Sequence, residues 1–207
     1  MYTGNLGNLR YENLYLIGKA LDRINGVGGT TISNLLPKNA SQFVHTDGGA
    51  TTKAILEIYS ATPLTKDMES KFNECESIKF MGRVSAKEVV EIQEMADILI
   101  HTESFDPKEI HNVRMSLSTK IIDYLSRGKC ILAVGSKEVT SIDYFVTNDC
   151  GMVASTEEEI FKCLEMLINN KEIIYTYAQR ALNTAIRNHN PEKLHKEFYK
   201  DLLSVLK

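Results

Sequence analysis

The sequence has little of what marks several classes of protein. No apolar run approaches the roughly 20 residues that span a bilayer. A net charge of -3 leaves no basic excess for nonspecific binding to nucleic acid. The cysteines form no CxxC pair and have no histidine cluster beside them, which argues against a structural zinc site. They are Cys75, Cys130, Cys150 and Cys163.

The sequence also gives no sign of secretion. The first strand-like segment already carries Asn5, Asn8 and Arg10, which do not belong in the apolar core of a signal peptide. Widely spaced cysteines are typical of reduced thiols, and we expect Cys130 and Cys163 to lie in the core. We therefore expect a cytoplasmic protein.

What remains is an ordinary globular composition, with 43% hydrophobic and 25% charged residues in 207 positions. Hydrophobic periodicity predicts strands near residues 1–7, 54–60, 78–82, 96–102, 129–135 and 151–155. It predicts helices at 11–24, 65–73, 85–95, 117–127 and 141–147, and two or three more from residue 156 onward. Residues 103–112 are expected to form a polar loop, and 25–53 either a flexible insert or a short helix.

The alternation of strands and helices predicts an α/β fold. Its near-continuous apolar strands are typical of a parallel sheet that is covered on both faces. We therefore expect a single Rossmann-like domain, a three-layer sandwich with a mainly parallel sheet and a helical C-terminal tail. The apolar stripe of the last helix (Leu194, Phe198, Leu202 and Val205) is most simply interpreted as core packing. In such sheets ligands bind at the carboxyl ends of strands, and residues 4–10 and 103–123 both fall there.

The helix predicted at 117–127 has the composition of an anion site. Ser118 and Thr119 would occupy its first turn, where free N–H groups and the helix dipole favour a phosphate. Lys120 adds a positive charge at that place, and Asp123, one turn deeper, could accept hydrogen bonds from two sugar hydroxyls. The alternative is a solvated helix face on which Lys120, Asp123 and Arg127 form an ion network.

Two further stretches fit a ligand at the same edge of the sheet. Gly4 and Gly7 allow close backbone approach, and Arg10 could reach back from the helix that follows them. Arg83 and Val84 join a strand to a helix and could offer backbone groups to a planar base. Each stretch is equally compatible with a turn that binds nothing.

The order of the motifs suggests a family. The segments YxGNLGxxR, FxGxVSxxEV, ADILIHxE and STKIxDYLxxGKxILAxG resemble the C-terminal, donor-binding half of GT-B glycosyltransferases. The resemblance is to the group 1 or capsular polysaccharide type, found in bacteria. It implies transfer of a sugar from a nucleotide-diphosphate sugar, UDP- or GDP-linked, to a glycan or lipid-linked acceptor in surface polysaccharide synthesis.

The resemblance also implies roles for individual residues. Arg10 and Lys120 would stabilise the leaving diphosphate, with Asn5, Gly7, Ser118 and Thr119 beside it. Arg83 and Val84 would border the nucleobase, and Asp123 would bind the ribose. Many relatives have two glutamates eight positions apart, but Met115 occupies the first of these positions, so Glu103 or Asp106 would have to supply that acid. Arg114 is a further candidate for phosphate or sugar contact, although a surface arginine is the simpler interpretation. His101 could face the site, and a core or strand-end histidine explains it at least as well.

The same family has two domains, and this chain is too short to contain both. The resemblance therefore implies a partner, the N-terminal acceptor-binding domain of the same enzyme, without which this domain would be inactive. Membrane association is expected only through that other half, at the inner membrane face. No metal and no cofactor is implied. The alternatives are half of a nucleotide-sugar epimerase and a non-enzymatic, flavodoxin-like nucleotide-binding domain.

Overall fold

A computed structural model of the chain describes residues 1–27 and 53–205, and its strands and helices alternate as the sequence predicts. The strands are β1 (Tyr2–Thr3), β2 (Leu56–Tyr59), β3 (Ile78–Gly82), β4 (Ile98–Thr102), β5 (Cys130–Val134) and β6 (Met152–Ala154). The helices are α1 (Arg10–Ile24), α2 (Lys66–Asn73), α3 (Ala86–Met95), α4 (Pro107–Val113), α5 (Lys120–Ser126), α6 (Thr140–Asn148), α7 (Glu157–Asn169), α8 (Lys171–Asn188) and α9 (Pro191–Val205). Most of the predicted insert, residues 28–52, lies outside the described residues.

The strands form two parallel sheets, β1-β2-β3 and β4-β5-β6. The sheets meet through Met1, whose amino group donates to the Ile98 carbonyl (2.8 Å) and whose carbonyl accepts from the Ile100 N–H (2.8 Å). The spatial order is therefore β3-β2-β1-β4-β5-β6. From β1 the chain adds β2 and β3 on one side and then β4, β5 and β6 on the other, so the strand order reverses between β1 and β4. In a doubly wound sheet this switch point opens a crevice at the carboxyl ends of the strands.

Helices cover both faces of this arrangement, which confirms the predicted Rossmann-like sandwich. Along β5, Leu132 belongs to the buried apolar cluster that includes residues of α1, α2 and α7, while Ile131 and Ala133 belong to a second cluster with residues of α5, α6 and α8. Every residue of β5 is fully buried, as expected for a strand that is covered on both sides.

Local signals in the sequence set several helix ends. Ser85 forms a capping box with Glu88 at the start of α3. Gly128 has a φ of +59° directly after α5, a left-handed conformation that suits glycine. Pro191 begins α9, as predicted.

Two expectations about helices are wrong. The predicted loop 103–112 contains α4, because the Asp106 carboxylate caps it by accepting from the N–H groups of Lys108 (2.9 Å) and Glu109 (3.2 Å). The apolar stripe of α9 is not core packing, since no residue of that helix is buried. Among the cysteines, Cys130 is buried as predicted, but Cys163 is only partly buried. Across the described ranges, no helix is both long and apolar enough to cross a membrane.

Candidate functional site

The loop between β1 and α1 lies at the carboxyl edge of the sheet, beside the switch point. The Gly4 N–H donates to the Tyr59 carbonyl (3.0 Å), and the Leu6 N–H donates to Thr62 Oγ1 (3.2 Å). These bonds hold the loop against the β2–α2 connection. Leu9, which precedes α1, supplies no side-chain cap. The Arg10 and Glu12 N–H groups in the first turn of α1 donate instead to the carbonyls of Gly7 (3.2 Å) and Leu9 (3.1 Å).

The ammonium group of Lys120 reaches this loop from the start of α5. Its Nζ lies 3.5 Å from the Thr3 carbonyl oxygen and 5.2 Å from the centroid of the Tyr2 ring. Gly4 has a φ of +156°, and a Cβ atom built on it would overlap Lys120 Nζ. Glycine is therefore required at position 4 for the ammonium to lie where it does.

Arg10, the first residue of α1, contacts a carboxylate at the end of β4. Its Nη2 lies 2.8 Å and its Nε 3.0 Å from Glu103 Oε2. Glu103 is only 3% exposed, and its backbone carbonyl accepts from Asn13 Nδ2 (2.6 Å). The pair therefore joins α1 to β4 across the switch point.

The charges of this cluster do not balance. Burial, reinforced by the nearby Arg10 guanidinium, lowers the pKa of Lys120 to about 8. Burial raises the pKa of Glu103, and the Arg10 and Lys120 charges oppose that rise. Two cations thus face one carboxylate, and the excess positive charge favours an anion.

His101 lies beneath the same carboxylate. Its Nε2 is 3.8 Å from Glu103 Oε1, and its ring packs against Phe145 at a centroid distance of 5.4 Å. Burial lowers the pKa of His101 to about 3, so the ring is neutral at pH 7 and the approach to Glu103 is not an ion pair. Among the described residues, Nε2 has no hydrogen-bond partner.

A second group of buried polar side chains fixes the end of β1. The Tyr124 hydroxyl accepts from the Thr3 N–H (3.3 Å) and donates to the Thr3 carbonyl (3.1 Å). Gln93 Nε2 donates to Thr3 Oγ1 (3.0 Å), and Arg127 Nε donates to Gln93 Oε1 (3.4 Å). α3 and α5 are thereby tied to the residue that precedes Gly4.

A cleft of about 490 Å³ opens at this edge of the sheet, and Arg10 and Lys120 are not among its lining residues. Its walls come from the ends of β1, β2 and β3, and Gly4 belongs both to this wall and to the Lys120 contact. The lining residues are Thr3, Gly4, Asn5, Tyr59, Ser60, Ala61, Thr62, Pro63, Arg83, Val84 and Val89. The volume suits a ligand the size of a nucleotide, since small-molecule sites commonly occupy about 300–1,000 Å³.

The structure brings several of the predicted site residues together. Arg10, Lys120 and Glu103 form the charged cluster, while Asn5, Arg83 and Val84 line the cleft. The Asn5 side chain accepts from the Gly7 N–H, so this N–H group is used within the turn.

The predicted helix start around Ser118 differs from the structure. α5 begins at Lys120, and the Ser118 N–H is not free, because it donates to Ser141 Oγ (3.0 Å) on α6. Thr119 and Asp123 are exposed near the start of α5. Arg127 does not form the alternative ion network with Lys120 and Asp123. Its side chain instead pairs with Gln93 and with Glu94 (3.5 Å) on α3.

The segment between α4 and α5 lies at the surface. Met115 is 83% exposed, and Arg114 is exposed while its carbonyl accepts from the N–H (2.8 Å) and Oγ1 (2.6 Å) of Thr140. Asp106, the other proposed acid, is the cap of α4.

Sequence reasoning missed two parts of this site. The cleft wall at 59–63 follows β2 at the same edge of the sheet, so the strand-end rule that selected residues 4–10 would also have selected it. Tyr124 lies on the buried face of α5, and a buried tyrosine hydroxyl requires a hydrogen-bond partner. The sequence contained that signal, but it could not identify Thr3 as the partner.

Comparison with protein-family models and with curated proteins finds no match for this chain. Comparison with solved structures does find similar folds. WaaG, a glycosyltransferase involved in lipopolysaccharide biosynthesis, matches 89% of the chain and 41% of its own length, with a TM-score of 0.59 and 14% sequence identity. Anabaena Alr3699/HepE in complex with UDP-glucose matches 98% of the chain and 48% of its own length, with a TM-score of 0.64 and 13% identity.

The C-terminal domain of the Francisella tularensis glycosyl transferase group 1 family protein LpcC matches 92% of the chain and 84% of that domain. Its TM-score is 0.57 and its identity 13%. At these identities the likeness establishes the fold, which is a Rossmann-like α/β domain of the kind that these glycosyltransferases contain. The chain spans less than half the length of WaaG and of HepE.

Proposed function

We propose that this chain is the donor-binding domain of a GT-B glycosyltransferase of the group 1 type. Its ligand is a nucleotide-diphosphate sugar, UDP- or GDP-linked, whose sugar is transferred to a glycan or lipid-linked acceptor in surface polysaccharide synthesis. The observation that carries the proposal is that Lys120 reaches Gly4, a residue of the cleft wall, while Arg10 on Glu103 lies near enough that burial and the Arg10 charge together lower the pKa of Lys120.

The two cations suit a diphosphate leaving group. When the bond between the anomeric carbon and the diphosphate breaks, negative charge grows on the nucleotide, and fixed positive charges stabilise it. Arg10 and Lys120 supply this charge from two different elements, α1 and α5, so they can approach a diphosphate from two sides. With the protein supplying the positive charge, the scheme requires no metal and no cofactor.

The remaining roles follow from position along the cleft. Arg83 and Val84, on the wall after β3, border the nucleobase, and Asn5 lies near the diphosphate. Asp123 is exposed one turn into α5, where its carboxylate can accept from the ribose hydroxyls, and Thr119 adjoins the phosphate. The solved complex of HepE with UDP-glucose, which shares this fold, supports the choice of a nucleotide sugar.

The whole reaction needs more than this domain. WaaG and HepE are about twice as long as the part of them that this chain matches. We propose that an N-terminal domain of the same enzyme binds the acceptor, that membrane association occurs through that half, and that the enzyme works at the cytoplasmic face of the membrane. This chain alone is then expected to bind the donor without transferring the sugar.

A ligand screen tests the proposal. Isothermal titration calorimetry should show binding of UDP, UDP-glucose or GDP-mannose, and inorganic pyrophosphate should compete with the nucleotide. Lys120→Ala should weaken this binding by about 1.5 to 3 kcal/mol, the loss of a charged hydrogen bond. Lys87→Ala is the control, because the Lys87 side chain on α3 is 89% exposed.

Three results would contradict the proposal. A response to FMN alone would favour a flavodoxin-like binding domain. Failure of every nucleotide diphosphate to bind would reject a donor site. Equal affinities of the Lys120→Ala and Lys87→Ala variants would remove Lys120 from the site.

A further inference from the structure

His101 is a buried polar group that the proposed chemistry does not use. It is 3% exposed, and its Nε2 has no hydrogen-bond partner among the residues that the structure describes. A buried polar atom without a partner is costly and therefore uncommon in folded proteins. The carboxylate that faces this atom is Glu103, whose Oε1 lies 3.8 Å away, about 1 Å too far for a hydrogen bond.

The two oxygens of Glu103 have different surroundings. Both contacts from Arg10 go to Oε2, at 2.8 and 3.0 Å, and Oε1 is the oxygen that faces His101. Glu103 is therefore held by Arg10 on one side and faces an unpartnered nitrogen of a neutral imidazole on the other. The further charged group near the pair is Lys120, which reaches toward Thr3 and Gly4.

A ligand at the cations would disturb this arrangement. A diphosphate carries more negative charge than one carboxylate and offers the planar guanidinium of Arg10 a two-point contact. If Arg10 turns toward it, Glu103 is left buried without its cation, which is strongly unfavourable unless another donor replaces it.

We propose that His101 is a positioning residue, which donates its Nε2–H to Glu103 when Arg10 turns from Glu103 to a bound diphosphate. The inference rests on the proposed function and adds a residue to it. A shift of about 1 Å brings His101 Nε2 to hydrogen-bond distance from Oε1. The low pKa of His101 is consistent with a neutral ring that gives one N–H and keeps no charge near the cations.

Nuclear magnetic resonance of ¹⁵N-histidine-labelled protein tests the inference directly. The chain has five histidines, and the signal that is missing in His101→Gln identifies position 101. On saturation with UDP, the Nε2–H proton of His101 should move downfield, because it enters a hydrogen bond to a carboxylate. Arg10→Ala without ligand should move it in the same direction, because Glu103 has already lost its cation.

Affinity gives a second readout. His101→Leu removes the donor and should weaken UDP binding about tenfold, which corresponds to about 1.4 kcal/mol. His101→Gln should recover most of this loss, because its amide nitrogen can lie near the position of Nε2. A purely packing role for the ring would give no such difference between Leu and Gln.

The outcomes separate the inference from the proposed function. If UDP binds but the His101 signal stays in place, the inference is overturned and the donor site stands. If His101→Gln binds as weakly as His101→Leu, the donor role of the ring is rejected as well. If no nucleotide diphosphate binds, the proposed function fails and takes the inference with it. Should His101→Leu not fold, the spectra of the native chain and of Arg10→Ala decide.

Discussion

Replacing Lys120 by methionine should affect stability and binding in opposite directions. Methionine keeps the length and apolar character of the lysine stem but removes the charge. In the ligand-free protein, that charge is half-buried, lies near Arg10, and has a pKa lowered from 10.5 to about 8. A group held in this way disfavours the folded state while it is protonated.

The magnitude follows from the pKa shift. A fall from 10.5 to about 8 corresponds to about 3 kcal/mol that the charged lysine costs the folded protein at pH 7. Methionine also loses the contact of the ammonium with the Tyr2 ring and the long hydrogen bond to Thr3, together about 1 kcal/mol. Lys120→Met should therefore stabilise the fold by about 2 kcal/mol at pH 7, which raises Tm by about 4–8 °C for a chain of this size.

The pH dependence gives an independent check. Between pH 8 and pH 10.5 the unfolded chain still binds the proton that the folded chain has lost, so stability rises with pH in that window. The methionine variant should lack this rise. Urea unfolding followed by circular dichroism at pH 7 and at higher pH measures both effects, with Lys87→Met as the exposed control.

In contrast to stability, the affinity for nucleotide should fall in the Lys120→Met variant. We expect UDP affinity to fall by about 1.5–3 kcal/mol in Lys120→Met, because a charged hydrogen bond to the diphosphate is lost. In the native protein affinity should decrease above pH 8, as Lys120 loses its proton. A methionine variant that is less stable at pH 7, or that binds UDP as well as the native chain, would refute this reasoning.

Three other changes have defined outcomes. Gly4→Ala should weaken UDP binding at least tenfold by displacing Lys120. Gly26→Ala, at a φ of +70° and with no atom of residues 1–27 or 53–205 within 4 Å of the added carbon, should leave calorimetric affinity unchanged, and equal affinities of the two variants would contradict the close-approach argument. Asp123→Ala should weaken binding of UDP but not of inorganic pyrophosphate, and equal losses for the two ligands would remove the ribose role. Ser85→Ala breaks the capping box of α3 and should lower the free energy of unfolding by about 1 kcal/mol without changing UDP affinity; an unchanged urea midpoint would be the contrary result.

The parts of the fold that could be predicted depend on neighbours in sequence. The spelling Ser-Ala-Lys-Glu defines the start of α3 because both bonds of the capping box join residues three apart. Gly128 and Pro191 mark helix ends for equally local reasons. The helix α4 was missed although its signal was local too, since an Asp followed by Pro is a common helix start.

The parts that could not be predicted depend on strand order. Arg10 and Glu103 are 93 positions apart, and they meet only because β1 and β4 lie side by side. Periodicity shows that strands exist and which faces are apolar, but it does not say which strands are neighbours. The same limit applies to Ser118, whose N–H is used by Ser141 on a helix 23 positions later. The two cations, Glu103 and His101 could each be selected from the sequence as candidates, whereas the contacts of Glu103 with Arg10 and with His101 could not be predicted.

The charge imbalance of the cluster gives the best physical reason to regard it as a binding site and not as part of the core. Structural ion pairs in proteins place opposite charges together, and a buried cation without its own partner is normally avoided. Here two cations lie near one carboxylate, and the close approach of one of them requires glycine at position 4. An anion bound beside these cations would reduce both the repulsion between them and the free-energy cost of their burial. Its binding is therefore favoured, because the ligand-free site leaves the excess positive charge uncompensated. We therefore expect the ligand-free domain to have a lower free energy of unfolding than a variant without the excess positive charge. Binding of a diphosphate should raise that free energy strongly.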